Sequence, residues 1–181
     1  LESMGVADIF LNYVENDLAA QETRQELAEK GMHVHLLKFN LAFPSEINEM
    51  FGQICRHTTS LDYFIHCAAL TTFKPLHTIK PNQWDLTLNI SAKSFLHCVQ
   101  GCIPLMTERG GKIVAISSTG SQRYNMNYGA LGVAKATLES MVRYLAVELA
   151  DKHIQVNGVV SGLISGDKLP PFPNLEAVVE E

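Results

Sequence analysis

A serine, a tyrosine and a lysine lie close together in this sequence, in a pattern that could move a proton while a hydride is delivered to a substrate. Ser118 ends an apolar segment, Tyr128 follows a loop, and Lys135 comes seven residues later. A tyrosine has an ordinary pKa of about 10, so it is a weak acid at pH 7 unless a neighbouring cation stabilises its anion. The pattern therefore predicts a phenol–ammonium pair. The alternative, a packed tyrosine beside a surface lysine, stays open at this point.

The spacing of the pair restricts where each residue can lie. Seven residues of α-helix advance about 10 Å, which is too far for direct contact between short groups. We therefore expect Tyr128 in the loop just before a helix and Lys135 in the second turn of that helix. The lysine would then reach the ribose hydroxyls of a nucleotide cofactor, while the tyrosine contacts the substrate.

Strand-like and helix-like segments alternate along the chain. Strands are predicted at 6–12, 32–39, 61–67, 112–117 and 154–160, and helices at 18–30, 45–55, 81–106 and 128–150. Ser45 is the predicted N-cap of the second helix, and Gly31 the predicted end of the first. The proline-containing tail is predicted to be a loop leading to a short helix.

This alternation predicts an α/β fold, a Rossmann-type doubly wound parallel sheet in one domain over residues 1–181. Ligands in such sheets bind at the carboxyl ends of the strands, where Asn40, Ala68, Ser118 and Gly162 are expected. The first strand and its glycine-rich turn are not found in the sequence. We therefore expect about 20–30 further residues upstream, a separation of the first two strands from the rest, and another strand downstream.

Several segments resemble the short-chain dehydrogenase/reductase superfamily. The matching segments are Asn89, Ser117-Ser118, Asn127-Tyr128 and Gly132-Val133-Ala134-Lys135-Ala136. The seven-residue step from tyrosine to lysine is similar to that of the enoyl-acyl-carrier-protein reductases. The runs 116–124, 143–149 and 172–174 are most similar to their NADPH-dependent subgroup, sometimes called type III.

The resemblance implies a role for each matching residue. Tyr128 would hydrogen-bond or protonate the enolate oxygen, Lys135 would hold the nicotinamide ribose, and Ser118 matches the catalytic serine. Asn89 matches a helix asparagine whose backbone organises a water linked to the lysine, or it is a polar residue that kinks the helix. Tyr124 would shape the acyl pocket, or it is an ordinary loop aromatic. The implied cofactor contacts also include Asn40, Leu41, Cys67, Ala68, Ala69, Gly162 and Ile164.

Three positions depart from the family pattern. His66-Cys67 stands where two asparagines are usual, and Gly166 stands in place of a threonine, with Ser165 as a substitute. His66 is either a proton relay or a hydrogen-bonded structural imidazole. The commoner tyrosine position, four residues before the lysine, is Leu131, which makes a plain ketone reductase mechanism less favoured.

The residues at the end of the first predicted strand indicate whether the cofactor is NAD or NADP. A carboxylate there would bond the ribose 2′-hydroxyl and favour NAD. The chain has Asn12-Tyr13 at this position, which favours NADP over NAD.

Composition excludes some classes of partner. The net charge is −5 and no basic run is present, so neither nucleic acid nor an anionic membrane is an expected partner. The four cysteines lie in apolar segments and are predicted to be buried free thiols, as in a reducing cytoplasm. Cys98 and Cys102 lie near His97, but no second ligand pair supports a metal site. The sequence contains no signal peptide and no apolar run of membrane-spanning length, so a cytoplasmic location is expected.

Three functions remain open from the sequence. The first is an NADPH-dependent reductase of enoyl thioesters carried on acyl carrier protein or coenzyme A, in fatty-acid or polyketide synthesis. The second is a ketone or alcohol reductase of secondary metabolism, and the third is a catalytically silent dinucleotide-binding scaffold. The broad apolar stripes of the two long helices predict a homo-oligomer, a dimer or tetramer.

Overall fold

Parallel strands and helices alternate along the part of the chain that the structure, a computed structural model, describes: residues 5–162. The chain divides into two compact units, Leu1–Thr59 and Ser60–Glu181. Predictions made for residues 1–4 and for the tail after Gly162, including Ile164, Ser165 and Gly166, lie outside the described residues. Each unit has its own sheet. The strands pair in parallel in both sheets, as the alternation predicts.

The first unit is a two-stranded parallel sheet with two helices. Its elements are β1 (Asp8–Tyr13), α1 (Asp17–Ala28), β2 (His33–Lys38) and α2 (Pro44–His57). Asp8 pairs with His33 and Tyr13 pairs with Lys38, so both strands end at the same edge. The Asn12 side chain donates hydrogen bonds to the carbonyls of Leu37 and Phe39 (3.0 and 2.9 Å) and fastens that edge.

The ends of the two helices test the predicted caps. The side chain of Asn16 accepts a hydrogen bond from the Ala19 N–H at 3.0 Å, and Gly31 adopts a φ of 80° just after α1, as the glycine stop predicts. The prediction of Ser45 as N-cap is wrong, because α2 already begins at Pro44. A proline at the first helical position has no N–H to satisfy and has its φ already fixed, so the helix starts there without a hydroxyl cap.

The second unit is a three-stranded parallel sheet in the order β3-β4-β5. Its elements are β3 (Tyr63–His66), α3 (Pro81–Leu88), α4 (Ser94–Met106), β4 (Gly111–Ser118), α5 (Gly129–Glu148) and β5 (Ile154–Ser161). Ile65 pairs with Val114, and Ser118 pairs with Ser161. The three carboxyl ends therefore share one edge of the sheet, which is where ligands bind in folds of this type.

The prediction of one continuous helix over 81–106 is wrong. A π-helical segment, Asn89–Lys93, separates α3 from α4. Ser94 Oγ donates to the Ile90 carbonyl at 2.6 Å, and a serine hydroxyl that takes a helix carbonyl competes with the regular backbone ladder. The apolar stripe nevertheless forms as predicted, with Phe95, Val99 and Met106 fully buried.

The five strands of the described residues form two sheets. Among residues 5–162, β1 and β2 pair with each other, and β3, β4 and β5 form the other sheet. The upstream strand and the single domain stay predictions. Within the same residues, every helix is too short or too polar to cross a lipid bilayer.

Candidate active site

The candidate site occupies the carboxyl edge of the β3-β4-β5 sheet. Ala68 follows β3 and is half-buried, Ser118 ends β4, and Gly162 follows β5. Gly162 is exposed, and among residues 5–162 no atom lies within 4 Å of a Cβ built there. Cys67 and Ala69 are exposed there as well. Small and exposed groups at three neighbouring strand ends leave room for a ligand to approach the main chain.

Tyr128 lies where the spacing places it, immediately before α5. Its half-buried ring packs against a small buried cluster formed by Ala92, Leu131 and Ala134. The ring of Phe73 lies 6.0 Å away between centroids. The apolar surroundings fix the ring at the start of the helix, so the predicted position of Tyr128 is confirmed.

Lys135 lies in the second turn of α5, as predicted, and only 4% of it is exposed. Its Nζ donates to the carbonyl of Ile116 in β4 at 2.6 Å. Burial lowers the pKa of the ammonium, and the nearby Cys67 opposes this. No carboxylate among residues 5–162 forms an ion pair with Lys135.

This ammonium has the bonding capacity that a nucleotide cofactor requires. An ammonium group carries three N–H donors, and the Ile116 carbonyl accepts from it. A buried cation without a carboxylate partner is stabilised by oxygen acceptors such as ribose hydroxyls or phosphates. Together with the open strand ends at Ala68 and Gly162, Lys135 therefore fits a bound nucleotide.

The loop between β4 and α5 is packed tightly under the tyrosine ring. A Cβ added at Gly120 would lie 2.5 Å from Cδ1 of Tyr128, and one added at Gly132 would lie 2.5 Å from the Gly120 carbonyl oxygen. Ser118 Oγ accepts from the Gly120 N–H at 3.2 Å. Asn127 adopts a φ of 61°, a left-handed conformation that asparagine tolerates better than most residues. These contacts leave room only for glycine at the two closest points.

Glu139 forms a hydrogen-bonded cluster behind this loop that sequence reasoning missed. Ser117 Oγ and Ser121 Oγ both donate to its Oε1, each at 2.5 Å. Burial raises the pKa of this carboxyl, but hydrogen bonds from Ser117, Ser121 and Gln122 and the charge of Arg143 outweigh it and leave the pKa below its usual value. One signal was available: Glu139 follows Lys135 by four residues and therefore shares its helix face.

Asn89 is half-buried and begins the π-helical segment. Asn89 therefore lies at a helix irregularity, while a kink caused by Asn89 and its role in organising a water both stay predictions. Ser91, in the same segment, was not singled out in the sequence. Its Oγ is 3.0 Å from both the N–H and the carbonyl of Leu70, so it fixes the chain just after Cys67, Ala68 and Ala69.

His66 is a buried, hydrogen-bonded imidazole. Its Nε2 lies 2.9 Å from Ser94 Oγ, and because that hydroxyl donates to Ile90, we assign the proton to Nε2. The Nδ1 atom has no hydrogen-bond partner among the described residues. Burial and the positive charge of Lys135 lower the pKa of His66 to about 4. The predicted structural hydrogen bond is therefore present.

The cysteines divide into two pairs. Cys98 and Cys102 are buried as predicted, and burial raises the pKa of Cys98 to about 12 and that of Cys102 well above its usual value. The prediction of buried thiols is wrong for Cys55 and Cys67, which are exposed. Cys55 lies on α2 beside the buried Ile54 but on its outer side, and Cys67 lies past the last residue of β3.

Tyr124 is 87% exposed in the loop before α5. This exposure agrees with an ordinary loop aromatic, and its role in an acyl pocket stays a prediction.

The first unit contains the predicted adenine contacts and the residues used to judge cofactor choice. Asn40 is half-buried and accepts from the Ala42 N–H at 2.9 Å, and Leu41 is buried. Lys38 donates to both carboxylate oxygens of Asp17 (2.9 and 2.8 Å), and Tyr13 donates to one of them at 2.8 Å. A carboxylate is therefore present at this edge, supplied by the helix rather than the strand and paired with a cation.

Comparisons with known proteins agree with this geometry. The sequence model of a family described as enoyl-(acyl carrier protein) reductase matches residues 3–181. The chain is 35% identical over 170 residues to a 1-cyclohexenylcarbonyl-CoA reductase of Streptomyces collinus, covering 94% of the chain and 60% of that protein. It is 32% identical over 163 residues to an NADH-dependent enoyl-[acyl-carrier-protein] reductase, FabI, of Synechocystis sp., covering 87% of the chain and 63% of that protein. The chain thus spans less than two thirds of the length of these relatives.

Solved structures give the same result. An enoyl-(acyl-carrier-protein) reductase from Anaplasma phagocytophilum in complex with NAD superposes with a TM-score of 0.77 at 27% identity, covering 88% of this chain and 61% of that one. The Bacillus cereus enoyl-acyl carrier protein reductase with NADP+ and indole naphthyridinone superposes with a TM-score of 0.84 at 23% identity, covering 97% and 79%, and supports the fold alone. The chain therefore belongs to the enoyl-(acyl carrier protein) reductase family of the short-chain dehydrogenase/reductase superfamily.

Proposed function

We propose that this protein reduces the carbon–carbon double bond of α,β-unsaturated acyl thioesters, carried on acyl carrier protein or coenzyme A, with NADPH as cofactor. The observation that carries the proposal is the pair formed by Tyr128, just before α5, and the buried Lys135, in its second turn. When bound, NADPH supplies the hydride. Family membership and the two named relatives, which reduce an acyl-CoA and an acyl-carrier-protein substrate by name, support the same reaction.

Each residue of the pair has a proposed task. The Tyr128 phenol donates a hydrogen bond to the thioester carbonyl oxygen and supplies a proton as negative charge develops there. Lys135 holds the ribose hydroxyls, and its positive charge is little screened because the residue is buried. Ser118 is proposed to contact the substrate from the end of β4.

The remaining contacts with the cofactor are proposed from the strand ends. Cys67, Ala68, Ala69 and Gly162 would approach the cofactor with backbone and small side chains, since these positions are exposed or half-buried at one sheet edge. Asn40 and Leu41 stay proposed contacts of the adenine.

We propose NADPH rather than NADH because Lys38 supplies a cation at the end of β2 and holds the Asp17 carboxylate in an ion pair. A free carboxylate at this edge would bind the 2′-hydroxyl of NADH and favour that cofactor. A carboxylate that is already paired with a lysine favours NADH less. Relatives do not decide the matter, since solved structures of the family members named above hold NAD in one case and NADP+ in the other.

The decisive experiment compares two thioesters with the full-length protein. Oxidation of NADPH is followed by absorbance with crotonyl-CoA and, in parallel, with acetoacetyl-CoA, and each is repeated with NADH. Turnover of crotonyl-CoA at a kcat/KM at least about tenfold above that of acetoacetyl-CoA supports the proposal. The reverse ratio identifies a ketone reductase. Binding of NADPH without turnover of either substrate identifies a silent dinucleotide-binding protein.

We also propose that the protein is a homo-oligomer that associates through α5. Val133, Tyr144 and Val147 recur on one face of this helix and are 39%, 68% and 78% exposed, although an exposed apolar stripe of this kind normally has a partner. Light scattering at micromolar concentration should give at least twice the monomer mass, and Tyr144→Glu should reduce it. A monomeric wild-type protein would contradict the proposal.

A further inference from the structure

We propose that Glu139 is a positioning residue, which holds the segment from Ser117 to Tyr128 against α5 so that Ser118 and Tyr128 keep a fixed relation to Lys135. This inference rests on the proposed reductase function for its catalytic consequence. The holding role itself is an independent property of the fold.

The contacts of Glu139 are short and converge on one atom. Ser117 Oγ and Ser121 Oγ each donate to Oε1 at 2.5 Å. Distances of about 2.5–2.7 Å are typical of hydroxyl groups that donate to an ionised carboxylate, which are stronger than neutral hydrogen bonds. Glu139 is therefore an anionic anchor for two hydroxyl groups.

The two anchored serines bracket the catalytic serine. Ser117 is the penultimate residue of β4, Ser121 ends the short helical turn after it, and Ser118 lies between them. Ser121 Oγ is also 2.8 Å from the carbonyl oxygen of Ser118, and Ser161 Oγ in β5 donates to the Ser117 carbonyl at 3.1 Å. The carboxylate thus ties the end of β4 and the following turn to one point on α5.

The position of the turn is passed to the tyrosine through close packing. Gly120, which precedes Ser121, lies so close to the Tyr128 ring that a Cβ would approach Cδ1 to 2.5 Å. The Gly120 carbonyl oxygen lies equally close to Gly132 in the first turn of α5. A turn released from Glu139 would therefore move against the ring of Tyr128 or away from it. A displacement of about 1 Å at a reacting group costs up to about 100-fold in rate.

Helix geometry explains why the anchor is Glu139. The residue follows Lys135 by four positions, so both side chains lie on one face of α5, one turn apart. Lys135 bonds to the Ile116 carbonyl and Glu139 bonds to the next side chain along β4, that of Ser117. Two adjacent turns of one helix thus hold two adjacent residues of one strand.

The test uses the full-length protein and four variants: Glu139→Gln, Glu139→Ala, Ser121→Ala and the double variant Ser121→Ala/Glu139→Ala. Glu148→Gln, at an exposed position on the same helix, is the matched control. Two kinds of readout are taken from each protein: kcat with the KM values for crotonyl-CoA and for NADPH, and amide hydrogen exchange of residues 119–128.

We expect Glu139→Ala to lower kcat about tenfold or more, with KM for NADPH changed less than about threefold. Glu139→Gln should stay within about fivefold of the wild-type kcat, because its amide oxygen can accept both hydroxyls. The double variant should be no slower than Glu139→Ala, since Ser121 acts through the carboxylate. Amides of residues 119–128 should exchange at least about tenfold faster in Glu139→Ala and Ser121→Ala and at the wild-type rate in Glu148→Gln.

Two results would overturn the inference: unchanged exchange of residues 119–128 in Glu139→Ala, or independent effects of Ser121→Ala and Glu139→Ala that multiply in the double variant. If Glu139→Ala does not fold, the amide hydrogen exchange of residues 119–128 is compared among Ser121→Ala, Glu139→Gln and the wild type. Equal exchange in these three proteins would overturn the inference. If the wild-type protein has no reductase activity, only the proposed function is refuted. The role of Glu139 in holding residues 117–128 is still tested by hydrogen exchange.

Discussion

Acid should destabilise this protein through His66, a buried imidazole whose pKa is lowered to about 4. The unfolded chain binds the proton with a pKa of about 6.5. Below pH 6.5 the unfolded state therefore binds more protons than the folded state, and the free energy of unfolding falls as the pH falls. One pKa unit corresponds to about 1.4 kcal/mol, so the lowered pKa of His66 reduces the free energy of unfolding by about 3 kcal/mol in total. The whole of this reduction is reached only below pH 4.

The environment of the two ring nitrogens explains why the pKa of His66 is low. Nε2 bonds to Ser94 Oγ, whereas Nδ1, which would have to take up the proton, has no partner among the described residues. Protonation would therefore place an unpaired charge in a buried position near the Lys135 ammonium.

Urea denaturation followed by the fluorescence of Trp84, the single tryptophan, measures this effect at intervals from pH 7.5 to pH 4.5. His66→Gln keeps an N–H that can reach Ser94 and cannot titrate, so its stability should fall by about 2 kcal/mol less than that of the wild type over this range. His77→Gln, at an exposed position, is the control and should follow the wild type. Identical pH dependence of the wild type and His66→Gln would refute the reasoning.

Three further predictions follow from packing and charge. Gly132→Ala should lower activity at least about tenfold, because its methyl group would collide with the Gly120 carbonyl. Gly52→Ala, at an open position on α2 of the described structure, is the control and should raise the free energy of unfolding by about 0.5–1 kcal/mol. Equal effects of the two substitutions on activity would contradict the predicted collision. A thiol reagent at pH 8 should label Cys98 and Cys102 only after unfolding, as counted by mass spectrometry, and fast labelling of either thiol would contradict their burial. Lys135→Met should weaken NADPH binding about tenfold or more by fluorescence titration, and unchanged affinity would contradict its proposed role.

Most strands and helices could be predicted from sequence because their apolar residues recur regularly and because glycines follow some of the helices. Gly31, which has a positive φ, lies three residues after the end of α1, and the apolar stripe of α4 is buried as the spacing predicts. The interruption at Asn89–Lys93 could not be predicted in this way. It depends on Ser94 bonding to the Ile90 carbonyl, and periodicity does not report which carbonyl a hydroxyl group will choose.

The positions of Tyr128 and Lys135 could be predicted because helix geometry fixes them. Seven residues of separation are enough to place Tyr128 before α5 and Lys135 in its second turn. The supporting residues could not be found from spacing alone. Glu139 and Ser91 act through hydrogen bonds to residues 18–22 positions away, and such partners are set by tertiary packing. The exposure of Cys67 could not be predicted from its apolar neighbours in the sequence either, because it results from the position of Cys67 beyond the end of β3.

The catalytic role of Tyr128 is tested most directly by the rate of NADPH oxidation with crotonyl-CoA in Tyr128→Phe. Removing a proton donor from the reacting oxygen should lower kcat at least about 100-fold and leave the dissociation constant of NADPH within about twofold, since the ring still packs on Leu131 and Ala134. A Tyr128→Phe protein that binds NADPH normally and turns over crotonyl-CoA within about threefold of the wild-type rate would contradict the account.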